Sequence, residues 1–364
     1  MNATTASALV RRRGRVSAGV GSLMPARLPR TLGEVAFETR PEHPMVIAHR
    51  GASGYRPEHT AAAYELAIAL GADAVEPDVV PTRDGVLVVR HENEIGGTTD
   101  VADRPEFADR RTTRVVDGHT LTGWFTEDFT WAELATLTAR ERLPRMRPAS
   151  TRFDGRYPVL RLEDVLRIID AAPREVAVVL EIKHATYFAS VGIDMARLVE
   201  REVIRWRARG GTAPLIVESF EQGVLDALRR RDLRARFVYL HERRGAAADL
   251  VAARGRAAPS WESQRTNVGL DALAESGMHG LSVETSALSR DLVTRAHACG
   301  LDVYTWTLRP ENRFLPERHR IGSSASSHGD WHAWFAEVAA TGVDGVFADH
   351  PDLPREAWRV GGAT

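Results

Sequence analysis

At 364 residues, 43% hydrophobic and 27% charged, the chain has the composition of a globular protein with a sizeable core. Its 48 basic residues stand against 49 acidic ones, a net charge of −1, which excludes a global field drawing it to nucleic acid or anionic lipid. The single cysteine, Cys299, excludes an internal disulfide, and no run reaches the ~18 apolar residues of a membrane span. A chain without disulfides fits a reducing compartment, so a cytoplasmic location is expected, with export as the alternative.

Residues 1–43 read as a flexible tail. Arg11, Arg12, Arg13 and Arg15 precede VSAGVGSLMPA, which holds two glycines and two serines and is weakly apolar for a secretory core. From Met45 onward, short β-rich runs alternate with longer amphipathic ones. MVIA ends at His49. Glu58 to Leu70 spaces Ala61, Tyr64, Ala67 and Ile68 as a helix does. ADAVEPDVV reads as a strand, TRDG as a turn, and VLVV as the next strand, ending at Arg90 and His91.

The interval of about 92–157 breaks this rhythm. It is rich in Thr, Arg and Asp, with one short helical stretch near Trp131–Thr138, and reads as an inserted cap. Deleting its central part, about 95–150, is expected to change substrate preference more than chemistry. The alternation then resumes. LEDVLRIIDA is helical, EVAVVLEIK a strand, and VGIDMARLVEREVIRWRARG a helix closed by Gly210. APLIVESF, ARFVYLH, HGLSV, LDVYTWTL and GVDGVFAD read as further strands, with helices at EQGVLDALRRRDL, SRDLVTRAHACG and GDWHAWFAEVAATG.

Buried strands separated by helices of about 10–15 residues indicate a parallel α/β sheet. Without the insertion, 44–364 is close to the ~250 residues of a (β/α)₈ TIM-type barrel. The expected fold is that barrel as one domain, with the cap inserted after an early strand. An open doubly wound sheet is the alternative, but no Gly-rich dinucleotide turn is present.

Barrel sites lie where strands end and loops begin. Those ends here are His49, Glu76 and Asp78, His91, Glu181 and Lys183, Glu218, Tyr304 and Trp306, and Asp349. Glu76 and Asp78 are two apart, so a strand aims both at one face. With Glu181 they form an oxygen-only set suited to a hard divalent cation, Mg²⁺ or Ca²⁺; the alternative is pairing with arginines. His49 and His91, taken to end neighbouring strands, suit proton transfer in both directions near neutral pH. Arg50 and Lys183 suit phosphate oxygens, or else partnership with Glu58 and Glu181. Trp306 can floor a pocket for a small polyol. The paired carboxylates also fit a glycoside hydrolase, which leaves the histidines idle, and a catalytically silent binding protein of the same fold is a third reading.

AHRGASGYRPEHT, the EPD triplet at 76–78, VVRHE, LEIK at 180–183, VYTWTLRPEN and VDGVFADHPD together resemble the glycerophosphodiester phosphodiesterase family. DGHTLTGWFTEDFT, inside the insertion, resembles its long bacterial members. The resemblance implies a capped TIM-type barrel that hydrolyses a small-molecule glycerophosphodiester to glycerol 3-phosphate and an alcohol. Position by position, it implies acid–base roles for His49 and His91, and metal ligation by Glu76, Asp78 and Glu181. It further implies phosphate contacts from Arg50 and Lys183, and Trp306 near the glycerol end. Two departures stand out: His59 where many relatives carry Asn, and Glu92 where they carry Asp.

Overall fold

A computed structural model describes residues 43–361; the tail expected over 1–43 lies outside these, His43 excepted. The strands are β1 (Met45–His49), β2 (Ala74–Glu76), β3 (Asp78–Pro81), β4 (Leu87–Val89), β5 (Thr112–Val116) and β6 (His119–Gly123). They continue with β7 (Ala177–Ile182), β8 (Leu215–Ser219), β9 (Arg236–His241), β10 (Gly280–Glu284), β11 (Asp302–Leu308) and β12 (Gly345–Ala348).

β1 pairs in parallel with β2 and β12, and parallel pairing continues through β11, β10, β9 and β8 to β7. β7 closes the ring by pairing with both β2 and β3. Val75 lies opposite Val178 and Asp78 opposite Glu181, a single register. β2 and β3 are therefore one wall strand interrupted at Pro77, which has no N–H for the ladder. The result is an eight-stranded parallel barrel with helices on its outer face, the expected fold.

Period-two alternation divides each strand between two cores. Inside the ring pack Ile47, Ala74, Ala177, Val179, Ile216, Val238, Tyr304 and Phe347. The residues between them face outward onto the helices, as Val46, Val178, Val217 and Val303 do. Each such aliphatic side chain, fully buried, contributes ~1.5–3 kcal/mol. Gly345 makes room inside the ring: a Cβ there would sit 2.6 Å from the Tyr304 ring.

VLVV differs from its expected place. β4 runs antiparallel to β3, with Val80 opposite Val88, and is not a wall strand beside β1. A turn as short as TRDG joins only antiparallel neighbours, since a parallel crossover needs a dozen or more residues. β3 thus overshoots the wall, and β4 brings the chain back to the mouth, where the Arg90 amide donates to the Asp78 carbonyl at 3.1 Å.

The stretch after β4 holds the short helix Trp131–Leu134, as expected, and the β5–β6 hairpin, which the sequence reading passed over. The hairpin's turn is Asp117–Gly118, both at positive φ (48° and 83°), the Asp-Gly signature of a type I′ turn. Helix Asn267–Glu275, between β9 and β10, also went unread because Gly269 weakens its pattern. That glycine is required: a Cβ would lie 2.4 Å from the Gln264 carbonyl oxygen.

Candidate active site

The alternation that fills the barrel interior continues upward into its mouth. Ile47 leads to His49, Ala74 to Glu76 and Asp78, Val179 to Glu181 and Lys183, and Ile216 to Glu218 and Phe220. On the opposite arc Tyr304 leads to Trp306 and Phe347 to Asp349. The lower inward positions are apolar and the upper ones carry chemistry. A cavity of about 370 Å³ opens there, lined by His49, Arg50, Glu76, His91, Glu181, Lys183, Glu218 and Trp306 among others.

Oxygens of Glu76, Asp78 and Glu181 lie within 4.8 Å of one another, all buried. Asp78 and Glu181 are register partners on adjacent wall strands. Burial, then the charges of Asp78, Glu218 and Glu181, push the Glu76 carboxyl well above the usual range. Burial and Asp78 push Glu181 up to about 7 despite Lys183, whose Nζ lies 2.6 Å from Glu181 Oε1. Burial opposes ionisation of Asp78 too, but Lys183, His59 and Arg50 outweigh it and hold that group well below its usual value. Asp78 Oδ1 and both oxygens of Glu218 have no hydrogen-bond partner among the described residues. A buried cluster of carboxylate oxygens with spare acceptors suits a hard cation.

The turn after β1 places Arg50 at φ 62°, a left-handed conformation uncommon outside glycine. It turns the Arg50 amide onto Glu76 Oε2 at 3.1 Å, while the guanidinium lies 3.0 Å from Glu58 and 3.4 Å from Asp78. The pairings with Glu58 and Glu181 considered for Arg50 and Lys183 therefore both form, with each cation still lining the cavity.

Each histidine of the mouth has one ring nitrogen tied to a carboxylate. His49 Nδ1 lies 2.5 Å from Asp349 Oδ1, and His91 Nδ1 lies 2.5 Å from Glu92 Oε1. Burial opposes ionisation of Asp349, but Arg309 and Arg147 hold it well below its usual value. An ionised carboxylate only accepts, so Nδ1 carries the proton and Nε2 keeps its lone pair. Burial, then Arg50, lowers His49 to about 4, and burial with Arg50 and Lys183 holds His91 well below the usual imidazole value. Both shifts favour the neutral ring.

Asp349 stands at the end of β12, where the sequence reading saw a strand end and gave it no role. Glu92 and His59, noted only as departures, each touch a site residue: Glu92 holds His91, and His59 Nε2 lies 3.0 Å from Asp78 Oδ2. Arg142 and Arg147 were missed altogether. Arg142 grips Glu58 and Glu92 at 2.6–2.8 Å, and Arg147 reaches Asp349 at 2.6 Å. In an arginine-rich stretch such as RERLPRMRP nothing singles these two out.

The Glycerophosphoryl diester phosphodiesterase family model matches residues 49–353. The glycerophosphodiester phosphodiesterase GDPD6 of Arabidopsis thaliana is 29% identical over 333 residues, covering 84% of this chain and 83% of its own. A crystal structure from Silicibacter pomeroyi, described under the same family name, superposes with a TM-score of 0.62 at 25% identity, covering 88% of this chain and 95% of its own. An Oleispira antarctica phosphodiesterase, solved in complex with the product sn-glycerol-3-phosphate, shares the fold at 19% identity and a TM-score of 0.55, covering 87% and 97%.

Proposed function

The chain belongs to the glycerophosphoryl diester phosphodiesterase family, and from that premise we propose that it hydrolyses glycerophosphodiesters to glycerol 3-phosphate and an alcohol at the barrel mouth. The carrying observation is that two imidazoles, each held through Nδ1 by a carboxylate, line one cavity with Arg50, Lys183, Glu76 and Glu181. The product named for the Oleispira antarctica structure supports the reaction.

Glu76, Asp78 and Glu181 would hold a divalent cation, Mg²⁺ or Ca²⁺, which when bound supplies positive charge against a phosphoryl oxygen. Arg50 presents a planar fork and Lys183 a point charge to the remaining oxygens, and both gain strength from burial. A neutral imidazole takes the proton of the attacking oxygen, either water directly or the neighbouring glycerol hydroxyl, which forms a cyclic phosphate that water then opens to glycerol 3-phosphate. The other protonates the departing alkoxide. An arriving phosphodiester anion offsets the Arg50 and Lys183 charges that depress His91, and so favours its protonated form. Trp306 lines the same cavity, where it would wall the glycerol end of the substrate.

The test is glycerol 3-phosphate release from glycerophosphocholine, with and without EDTA, by wild type and by His49→Ala and His91→Ala. Each variant should lose ~10²–10⁴ in turnover while remaining folded. Wild-type turnover in either variant would remove that histidine from the mechanism, and no release by wild type with added metal would sink the reaction itself.

A further inference from the structure

The segment between β4 and helix Leu162–Asp170 was expected to act as a cap, shaping substrate preference and leaving the chemistry to the barrel. Two of its arginines reach past that role. Arg142 donates from Nη1 to Glu92 Oε1 at 2.8 Å and from Nη2 to Oε2 at 2.7 Å, while Glu92 Oε1 accepts from His91 Nδ1. Five residues on, Arg147 donates from Nη2 to Asp349 Oδ2 at 2.6 Å, while Asp349 Oδ1 accepts from His49 Nδ1. The two histidines are thus each backed by the same series of groups, imidazole, carboxylate and guanidinium, and both guanidinium groups come from one short turn of the insertion.

That turn is built to hold its shape. The Glu141 amide donates to Asp154 at 2.7 Å, and the Glu141 carboxylate accepts from the Leu143 amide at 2.8 Å. The amides of Met146 and Arg147 both donate to the Leu143 carbonyl. Arg147 is further fixed by Glu311 at 2.8 Å and by the Ser53 carbonyl. Arg142 also takes both oxygens of Glu58, the carboxylate that pairs with Arg50. A guanidinium fork binding two carboxylates at once fixes their separation, which a point charge does not.

The geometry points to Arg142 and Arg147 as positioning residues: the insertion sets the orientation and tautomer of both histidines, and with them the rate of the chemical step. This inference rests on the acid–base reading of His49 and His91 given above. Groups that orient a histidine at a metal site typically cost about 10–100-fold when removed, and an effect of that order is expected for these arginines.

The experiment compares Arg142→Ala, Arg142→Lys, Arg147→Ala and Arg147→Lys with His49→Ala and His91→Ala on glycerophosphocholine at saturating Mg²⁺, with kcat and KM resolved and melting temperature recorded. The alanine variants are expected to lose about 10–100-fold in kcat with little change in KM, and added guanidinium is expected to restore part of the loss. The lysine variants keep the charge but not the fork and should fall between alanine and wild type. Wild-type kcat in a folded alanine variant overturns the proposal, as does a loss that guanidinium leaves untouched and that follows a fall in melting temperature. Should an alanine variant not fold, its lysine counterpart decides by the same split of kcat from KM, with Glu92→Gln as a second break in the His91 series. If the histidine variants themselves retain turnover, the acid–base reading fails, and the arginine data stand apart from it.

Discussion

His49 and Asp349 lie 300 positions apart in the chain, yet Nδ1 of the one donates to Oδ1 of the other over 2.5 Å. The contact exists because β1 and β12 are adjacent in the wall, Ala48 opposite Ala348, so the residues that follow them meet at the rim. Asp349→Asn keeps the volume but offers His49 an amide whose N–H₂ can force the opposite tautomer. The expected result is a fall in kcat of ~10² or more with KM little changed. Unaltered kcat in steady-state assays would reduce Asp349 to a structural partner of Arg147 and Arg309.

Divalent cation should act on the folded state as well as on rate. Anything that binds only the native protein stabilises it, by about 2.7 kcal/mol at a hundred times its Kd. Mg²⁺ or Ca²⁺ should therefore raise the melting temperature of EDTA-treated wild type, and Glu76→Ala should abolish that rise together with activity. A mutant that still responds to the cation as wild type does would show that Glu76 is not a ligand.

Glu218 is a buried carboxyl without a partner among the described residues, and burial followed by the charges of Glu181 and Asp78 pushes it well above its usual range. Such a group costs stability, and replacing it with an isosteric neutral one recovers part of that cost. Glu218→Gln should melt a few degrees higher than wild type without added metal, by roughly 1 kcal/mol or more, and turn over more slowly. A lower melting temperature would mean that Glu218 is held by contacts beyond those described.

His241 is buried with neither ring nitrogen hydrogen-bonded among the described residues; burial, then Arg265, lowers it to about 3. Its folded value lies below its unfolded one, so the unfolded chain takes up the proton first as pH falls. The stability tied to this neutral ring is complete above about pH 6.5 and is lost progressively toward pH 3, at up to ~1.4 kcal/mol per pH unit. His241→Phe should flatten that acid limb in denaturant titrations between pH 7 and 5. An unchanged slope would show that other groups carry the acid sensitivity.

Much of this was legible in the residues. Apolar runs buried on both faces, alternating with helices and ending in charged groups, pointed to the barrel and its rim, and His49, Glu76, Glu181, Lys183 and Trp306 line the cavity from the expected strand ends. Pairing partners were harder. VLVV carries the composition of a wall strand, and only the shortness of TRDG betrays a hairpin. The left-handed turn at Arg50 has no sequence signal, since any residue can be forced there by its surroundings. The backing groups behind the histidines were hidden for a different reason: they depend on long-range approach between the insertion and two separate strand ends at the barrel mouth, which no local pattern encodes.

The inward face of each wall strand also divides labour along its length. Positions two residues apart, such as Val179 and Glu181 or Ile216 and Glu218, occupy the same face but answer to different demands, one holding the ring together and the other facing the cavity. A lineage carrying this architecture can exchange rim residues for new headgroups while the layer beneath stays fixed, and repair of the lower layer need not disturb the reaction. The exceptions are the places where the insertion plugs into that rim, because there a change in the accessory segment is felt by the chemistry at once.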